Sequence, residues 1–285
     1  MREMKARDHI GIDFITALGL PPVEFVELAA ELHCAQITIA LQPIARIEQY
    51  PMWSLRDDVA LRKRTVAALQ RTKLRVAVGE GFLIAPGKDI RDAQADLDVM
   101  REVGAEQVNV VSIEPDRARG FDQCATFADL AVARGMTATI EFLPVSAVPD
   151  LATALVLIRQ IGANRLKLLI DAMHLFRSGA QPSALAGLAP SEIGHVQLCD
   201  VLLVARQASY GDEARFERLP PGDGELPLLD LLLALPPNVP LGLEVPMRTR
   251  AESGVGPRER FSMIIDAARR LAERADEIRR KPDEA

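Results

Sequence analysis

The sequence has few cysteines. Three of them, Cys34, Cys124 and Cys199, are scattered over 285 residues, and no two form a CxxC pair. An odd, dispersed set argues against a disulfide framework and suits a reducing compartment. We therefore expect a cytoplasmic protein without structural disulfides.

Long apolar runs and a surplus of basic charge are lacking as well. No run approaches the roughly 20 apolar residues that a membrane-spanning helix needs. The N-terminal segment MREMKARDHIGIDF is charged and lacks the apolar stretch of a signal peptide. The net charge is −6 and no basic stripe stands out, so we expect neither nucleic acid nor a membrane as a partner.

What the sequence does contain is a regular alternation of β-rich and amphipathic segments. Its 48% hydrophobic and 26% charged residues are typical of a globular domain with a sizeable core. Eight short runs rich in Val, Ile and Leu have the length of strands buried on both faces. They are His9–Ile15, Gln36–Leu41, Leu74–Val78, Gln107–Ile113, Thr137–Phe142, Arg165–Asp171, Gly194–Cys199 and Leu241–Val245.

The segments between these strands have apolar residues spaced three and four apart, as in helices. The predicted helices are Val23–His33, Asp58–Gln70, Asp89–Val103, Phe121–Arg134, Val148–Ile161, Leu228–Leu235 and Arg258–Arg280. Repeated strand-helix units imply a parallel sheet, and eight of them favour a closed barrel. No GxGxxG motif follows the first strand, which counts against a dinucleotide-binding doubly wound sheet. We predict an α/β fold, a single (β/α)8 TIM barrel over residues 1–285, whose typical length of about 250 residues uses nearly the whole chain.

Four polar residues lie in the last four predicted strands. Glu141, Asp171 and Glu244 end the fifth, sixth and eighth strands, and Gln197 lies in the seventh. Barrel enzymes place catalysis at the carboxyl ends of their strands, so we expect these side chains to converge there. Three carboxylates and an amide oxygen suit manganese or magnesium better than zinc. Each residue alone has a simpler interpretation, as a helix cap, a surface ion-pair partner or, for Gln197, a core hydrogen bond.

Further candidates lie near these strand ends. His174 could bind substrate at the mouth of the barrel, or simply begin a loop. His195 shares a strand face with Gln197 one layer deeper, where a packing role and a direct role are both open. The irregular stretch Val201–Pro227 is long enough to indicate function, and its turn after Arg218 could present that arginine to an anionic or polyhydroxyl substrate, or be a plain connection. Glu80, near the end of the third strand, is a weaker candidate.

This ordered set resembles the xylose isomerase-like TIM barrel superfamily. That superfamily includes sugar phosphate isomerases and epimerases, inosose isomerases and dehydratases, and relatives of endonuclease IV. The resemblance covers nearly the whole barrel. It is carried by Glu141, Asp171-x-x-His174, His195-x-Gln197, Arg218-x-x-Pro221-Gly222-x-Gly224 and Glu244.

The resemblance implies roles for these residues. In the family's ketose 3-epimerases a metal is held by Glu, Asp, His and Glu, and the two glutamates exchange protons with the carbon beside the ketone. Carried over, Glu141, Asp171 and Glu244 are metal ligands, Glu141 and Glu244 are also catalytic, and His174 and Arg218 are substrate contacts. From their strand positions we add Gln197 as the fourth metal ligand and His195 as a further substrate-binding candidate. The departure is Gln197 in place of histidine, which is more like the 3-dehydroshikimate dehydratases. Endonuclease IV chemistry is disfavoured, since the chain has only four histidines.

The function expected from this resemblance is metal-dependent isomerisation or epimerisation of a keto sugar or keto polyol through a metal-stabilised enediolate. One alternative is a dehydratase of the 3-dehydroshikimate or inosose type, because it begins with the same enolisation and then expels a hydroxyl. Another is a non-catalytic barrel that binds a sugar. The expected partner is a small polyhydroxylated molecule, and a homo-oligomer remains open.

Overall fold

The computed structural model describes residues 9–280, and within them eight parallel strands form a closed barrel in sequential order. Their bounds are β1 Ile10–Ile12, β2 Gln36–Ala40, β3 Arg75–Ile84, β4 Ala105–Ser112, β5 Thr137–Glu141, β6 Leu166–Asp171, β7 Ile193–Leu198 and β8 Leu241–Leu243. Strand β8 closes the barrel by pairing with β1. The prediction of a single TIM barrel is confirmed for the described residues, while the domain span 1–285 stays a prediction because its ends lie outside them.

Helices connect the strands and surround the barrel. They are α1 Pro22–Glu31, α2 Val59–Thr72, α3 Gln94–Glu102, α4 Arg117–Val132, α5 Leu151–Ile161, α6 Ala172–Arg177, α7 Tyr210–Phe216, α8 Leu228–Ala234, α9 Arg248–Glu252 and α10 Pro257–Arg280. Each of the seven predicted helices has a counterpart. No helix within residues 9–280 is both long and apolar enough to cross a membrane.

The strands β1 and β3 differ most from their predicted bounds, and β8 ends at Leu243, one residue before Glu244. The first strand ends at Ile12, because the chain turns into a short 3-10 helix in which the Phe14 amide donates to the Thr38 hydroxyl, 3.0 Å away. The third strand extends to Ile84 instead of Val78. Gly81, at φ +100°, accompanies a register shift against β4, after which strand pairing resumes. The glycines at which the predicted strand stopped are therefore a bulge inside a longer strand.

The segment Val201–Pro227 is not irregular throughout, contrary to the prediction. It contains α7, whose first turn is capped by the Ser209 side chain accepting from the Asp212 amide. Serine is a favoured residue at this position because its oxygen satisfies an amide that the helix leaves unpaired. This helix places further side chains at the barrel mouth.

Candidate active site

The four residues predicted to converge are all buried inside the barrel. Glu141 and Glu244 are 9% and 7% exposed, while Asp171 and Gln197 are 0% and 1% exposed. Asp171 and Gln197 are register partners on β6 and β7, so they lie at the same level of the sheet. Glu141 and Glu244 line a cavity at the mouth, but Asp171 and Gln197 do not. The late strands thus place two carboxylates against the cavity and two further oxygen donors away from its lining.

Arg218 links two of these carboxylates. Its Nη1 lies 2.5 Å from Asp171 Oδ2 and 2.8 Å from Glu244 Oε2, and the guanidinium is fully buried. Burial alone would raise the pKa of Asp171, but Arg218 and His174 beside it hold that pKa below its ordinary value. Burial, together with the charges of Asp171 and Glu141, raises the pKa of Glu244 well above its ordinary range, although Arg218 opposes the shift. A proton is therefore held more readily on Glu244 than on Asp171.

The turn that follows Arg218 is folded around the carboxylate of Asp200. Oxygens of Asp200 accept from the amides of Gly222 and Leu226 at 2.9 and 3.0 Å. A Cβ at Gly224 would lie 2.3 Å from Asp200 Oδ1, so that glycine provides room for the carboxylate. Asp200 and Leu219 also pair through both backbone amides. This turn fixes the backbone on the C-terminal side of Arg218, and the Arg218 Nε donates to the Ala214 carbonyl of α7 at 2.9 Å.

Two residues of the early strands complete the polar cluster. Asn109 Nδ2 donates to Glu141 Oε2 at 2.8 Å and to Glu80 Oε2 at 3.0 Å. The Thr139 hydroxyl donates to Asn109 Oδ1 at 3.1 Å, which turns the amide nitrogen toward the two glutamates. Burial first, then the negative charges of Glu141 and Asp13, raise the pKa of Glu80 well above its ordinary range. Two carboxylates therefore share one buried amide group.

Glu80 was only a weak candidate from the sequence and Asn109 was not predicted, although both carry a readable signal. Each is a polar residue inside an apolar strand, in VAVGEGF and QVNVV, which is the feature that identified Glu141 and Glu244. Both now line the cavity.

His174 lies at the cavity wall, and its role as a substrate contact stays a prediction. Its Nε2 is 3.3 Å from Glu141 Oε1, and its backbone amide donates to Asp171 Oδ1 at 2.8 Å. Its Nδ1 is 2.5 Å from the hydroxyl of Tyr210, the first residue of α7. Tyr210 was missed because nothing in the sequence places a residue 36 positions away against His174.

His195 is fully buried and is not among the residues that line the cavity. Its Nε2 is 3.5 Å from Asp13 Oδ1, and neither group has a hydrogen bond in the described structure. A Cβ at Gly242 would lie 2.1 Å from Asp13 Oδ1 and 2.5 Å from His195 Nε2, so glycine makes this approach possible. The structure favours a packing role for His195. Direct contact of His195 with a substrate stays a prediction.

The cavity has a volume of about 460 Å³ and two unlike halves. We call the polar half the set Glu80, Asn109, Glu141, His174, Arg218 and Glu244. The apolar half is made by residues on or after the first five strands. They are Phe14, Ile15, Ile44, Phe82, Leu83, Val111, Leu143 and Val145. A volume in the range of about 300–1,000 Å³ suits a small-molecule ligand.

The donor set suits a hard divalent cation in its chemistry. Among residues 9–280, however, no three His, Cys, Asp or Glu side chains are arranged to hold a metal as they stand. Two observations favour a cation nevertheless. Gln197 Oε1 is buried without a hydrogen-bond partner, and Glu80 and Glu244 have raised pKa values in a cluster where carboxylates outnumber the single arginine. Carboxylate and amide oxygens are the ligands that Mg²⁺ and Mn²⁺ prefer.

The model of the xylose isomerase-like TIM barrel family matches residues 26–274. The chain therefore belongs to this family, and the resemblance drawn from the motifs is confirmed. No curated protein sequence matches the chain.

Solved structures share the fold at low sequence identity. A xylose isomerase-like TIM barrel/4-hydroxyphenylpyruvate dioxygenase fusion protein matches with a TM-score of 0.77 and 20% identity, over 97% of this chain and 45% of that one. The IolI protein with a bound zinc atom matches at 0.78 and 14%, over 95% and 99%. A probable 3-DHS dehydratase, AsbF of Bacillus anthracis, matches at 0.71 and 13%, over 93% and 99%. At these identities the likeness shows the fold alone, and the present chain spans less than half of the fusion protein.

Proposed function

We propose that this protein is a metal-dependent isomerase or epimerase that enolises a keto sugar or keto polyol. The observation that carries the proposal is the placement of Glu141 and Glu244. Both reach the cavity, Glu141 from the end of β5 and Glu244 from the residue after β8, while Asp171 and Gln197 from the two strands between them are withdrawn from it. This arrangement leaves two carboxylates accessible to a substrate, and all four side chains offer oxygen ligands to a metal.

Glu141, Asp171, Gln197 and Glu244 would hold the metal, which we propose to be Mn²⁺ or Mg²⁺. When bound, such an ion acts as a Lewis acid that polarises a substrate carbonyl.

The chain itself would move the proton. A carboxylate whose pKa lies nearer neutrality is a better acid and base, and burial has raised the pKa of Glu244 in that direction. Glu141 accepts from Asn109 and lies beside His174 Nε2, so its carboxylate is held in place at the cavity wall. One glutamate would take the proton beside the ketone, and the other, already protonated, would give up its own proton, to the opposite face of the same carbon for an epimer or to the former carbonyl carbon for an isomer.

His174 and Arg218 would orient the substrate. Both line the cavity and both also contact a carboxylate of the cluster. A guanidinium offers several N–H donors in a fixed plane, which suits the hydroxyl and carbonyl oxygens of a polyhydroxylated molecule. We propose a cytoplasmic location for this activity and leave the oligomeric state, including a homo-oligomer, to measurement in solution.

The first test follows the proton. Ketoses, inososes and 3-dehydroshikimate are incubated with the enzyme and Mn²⁺ or Mg²⁺ in deuterated water, and exchange beside the ketone is read by NMR. The wild type should exchange at least one of them, whereas Glu141→Gln and Glu244→Gln should each reduce the exchange by about 100-fold or more. Glu106→Gln, an exposed glutamate on the barrel, is the control. Full exchange in both active-site variants would refute the acid–base role.

The metal is tested with Mn²⁺ alone. The protein should bind about one Mn²⁺ per chain, and Gln197→Leu should weaken binding by about tenfold or more, because a ligand oxygen is lost. A chain that binds no Mn²⁺ but does bind sugars would instead be the non-catalytic binding barrel.

A dehydratase is the second candidate, and Gln197 favours it, since the family's epimerases have histidine there. Dehydration needs an acid near the leaving hydroxyl, and His174 lines the cavity in a suitable place. In that case His174→Ala should stop water loss while proton exchange continues. Loss of both together would leave His174 as an orienting residue. An ultraviolet-absorbing product from 3-dehydroshikimate, without turnover of any ketose, would replace the isomerase proposal.

A further inference from the structure

Helix α7, which lies in the segment after β7, contacts α6 at two matched places. His174 and Arg177 are three residues apart on α6, and Tyr210 and Glu213 are three residues apart on α7. Arg177 Nη2 donates to Glu213 Oε1 and Oε2 at 2.9 and 3.1 Å, and Tyr210 meets His174 one turn earlier. Residues three apart share a helix face, so the two contacts together fix how α7 lies against α6.

The contact between Tyr210 and His174 has a defined geometry. The phenol oxygen is 2.5 Å from His174 Nδ1, and the two rings are stacked with centroids 5.6 Å apart and planes 29° apart. On the other side of the imidazole, Nε2 is 3.3 Å from Glu141 Oε1. The imidazole therefore lies between a hydroxyl and a carboxylate.

The direction of the Tyr210 hydrogen bond follows from what faces the other ring nitrogen. Nε2 lies 3.3 Å from a carboxylate oxygen of Glu141, which is an acceptor group, so a proton is favoured on Nε2. Burial, with the negative charge of Asp171, raises the pKa of Tyr210, so its hydroxyl keeps its proton and can donate. A neutral imidazole with its proton on Nε2 has its lone pair on Nδ1, where Tyr210 can donate to it.

We propose that Tyr210 is a positioning residue that holds His174 in the tautomer with its proton on Nε2 and thereby keeps that proton directed at Glu141. The functional consequence rests on the proposed function, in which Glu141 transfers a proton. Without the hydroxyl, a proton on Nδ1 would face Asp171 Oδ1, which is 3.6 Å away and already accepts from the His174 amide. Tyr210 thus disfavours the other tautomer, in which the proton lies on Nδ1 and faces Asp171 instead of Glu141.

The test is the ¹⁵N spectrum of histidine-labelled, metal-free protein, recorded without substrate in mildly alkaline buffer. The chain has four histidines, and His174→Ala identifies the signals of His174 by their loss. In the wild type His174 should show one protonated nitrogen, Nε2, and one unprotonated nitrogen, Nδ1, with widely separated signals. Tyr210→Phe keeps the stacked ring and removes only the hydroxyl, and it should bring the two signals toward each other.

The chain offers a matched control in Tyr50→Phe, since Tyr50 is its one other tyrosine. That variant should leave the His174 signals in place, and circular dichroism should show that both variants are folded. An unchanged spectrum in Tyr210→Phe, or a wild-type His174 protonated on both nitrogens, would overturn the proposal. Because no substrate is present, a positive result here with no proton exchange on any ketone would refute the proposed function and leave the tautomer assignment standing.

Discussion

The two halves of the cavity differ in how they are built. The apolar half presents carbon surfaces from residues on or after the first five strands, with Phe82 packed against Phe127 at a ring distance of 5.1 Å. The polar half presents polar and ionisable groups from β3, β4 and β5, from the residues after β6 and β8, and from the segment after β7, where Arg218 pairs with Glu244 and, behind the lining, with Asp171. Dispersion and burial hold the first half, and buried charge pairs hold the second. A substrate would pack against the apolar half and react at the polar half.

The largest loss of stability is expected in the polar half, when Arg218 is replaced. Arg218→Met leaves Asp171 and Glu244 buried without their cation, and removing one partner of a buried pair typically costs about 3–5 kcal/mol. We expect urea unfolding of the metal-free protein to show a loss of this size. Arg215→Met, a neighbouring but exposed arginine, should change stability by less than about 0.5 kcal/mol. Equal stabilities for the two variants would mean that Arg218 does not hold the polar half together.

Replacing Glu80 by glutamine removes excess negative charge from the polar half. The pKa of Glu80 is raised in the folded state, so the stability it contributes is present below its ordinary pKa of about 4.3 and is lost as the pH rises through its folded value. Glu80→Gln should therefore stabilise the metal-free protein at pH 7 to 8, by roughly 0.5–3 kcal/mol. The gain should shrink toward pH 4.5. Urea unfolding in EDTA across this pH range, beside Glu106→Gln, measures it. A gain that grows as the pH falls has the wrong sign.

The smallest effect is expected on the apolar half. Leu83 lines the cavity and is 42% exposed, so Leu83→Ala should change stability by less than about 0.5 kcal/mol. The substitution removes carbon contacts from the apolar half of the cavity. For the substrate found in the exchange panel, KM should therefore rise by about two- to tenfold while kcat stays nearly unchanged. Val132→Ala, on the outer helix α4, serves as the comparison. A fall in kcat with constant KM would place Leu83 in the chemistry instead.

The polar half was more readable from sequence than the contacts that organise it. Glu141, Asp171 and Glu244 stand out because a carboxylate interrupts or ends an apolar run, and the strand order of a barrel places such residues at one end. Glu80 was not recognised as part of a strand because it lies between Gly79 and Gly81. Two glycines so close together predict the end of a strand, but here they form a bulge within β3, which continues to pair with β4. Tyr210 could not be found, because its position depends on how α7 packs against α6, and local sequence patterns do not encode that.

The turn around Asp200 affects which residues of this segment can be substituted during evolution. Arg218 is fixed by a compact turn on its C-terminal side and by α7 before it, while Leu203 and Val204, earlier in the same segment, are 64% and 79% exposed. The Leu203 backbone accepts from Arg177 and donates to Glu225, so the path of the chain there is fixed, whereas the side chains of Leu203 and Val204 extend into solvent. The segment thus separates exposed side chains that are free to vary, and so to acquire new ligand preferences, from a backbone and a turn that keep the charge balance of the barrel.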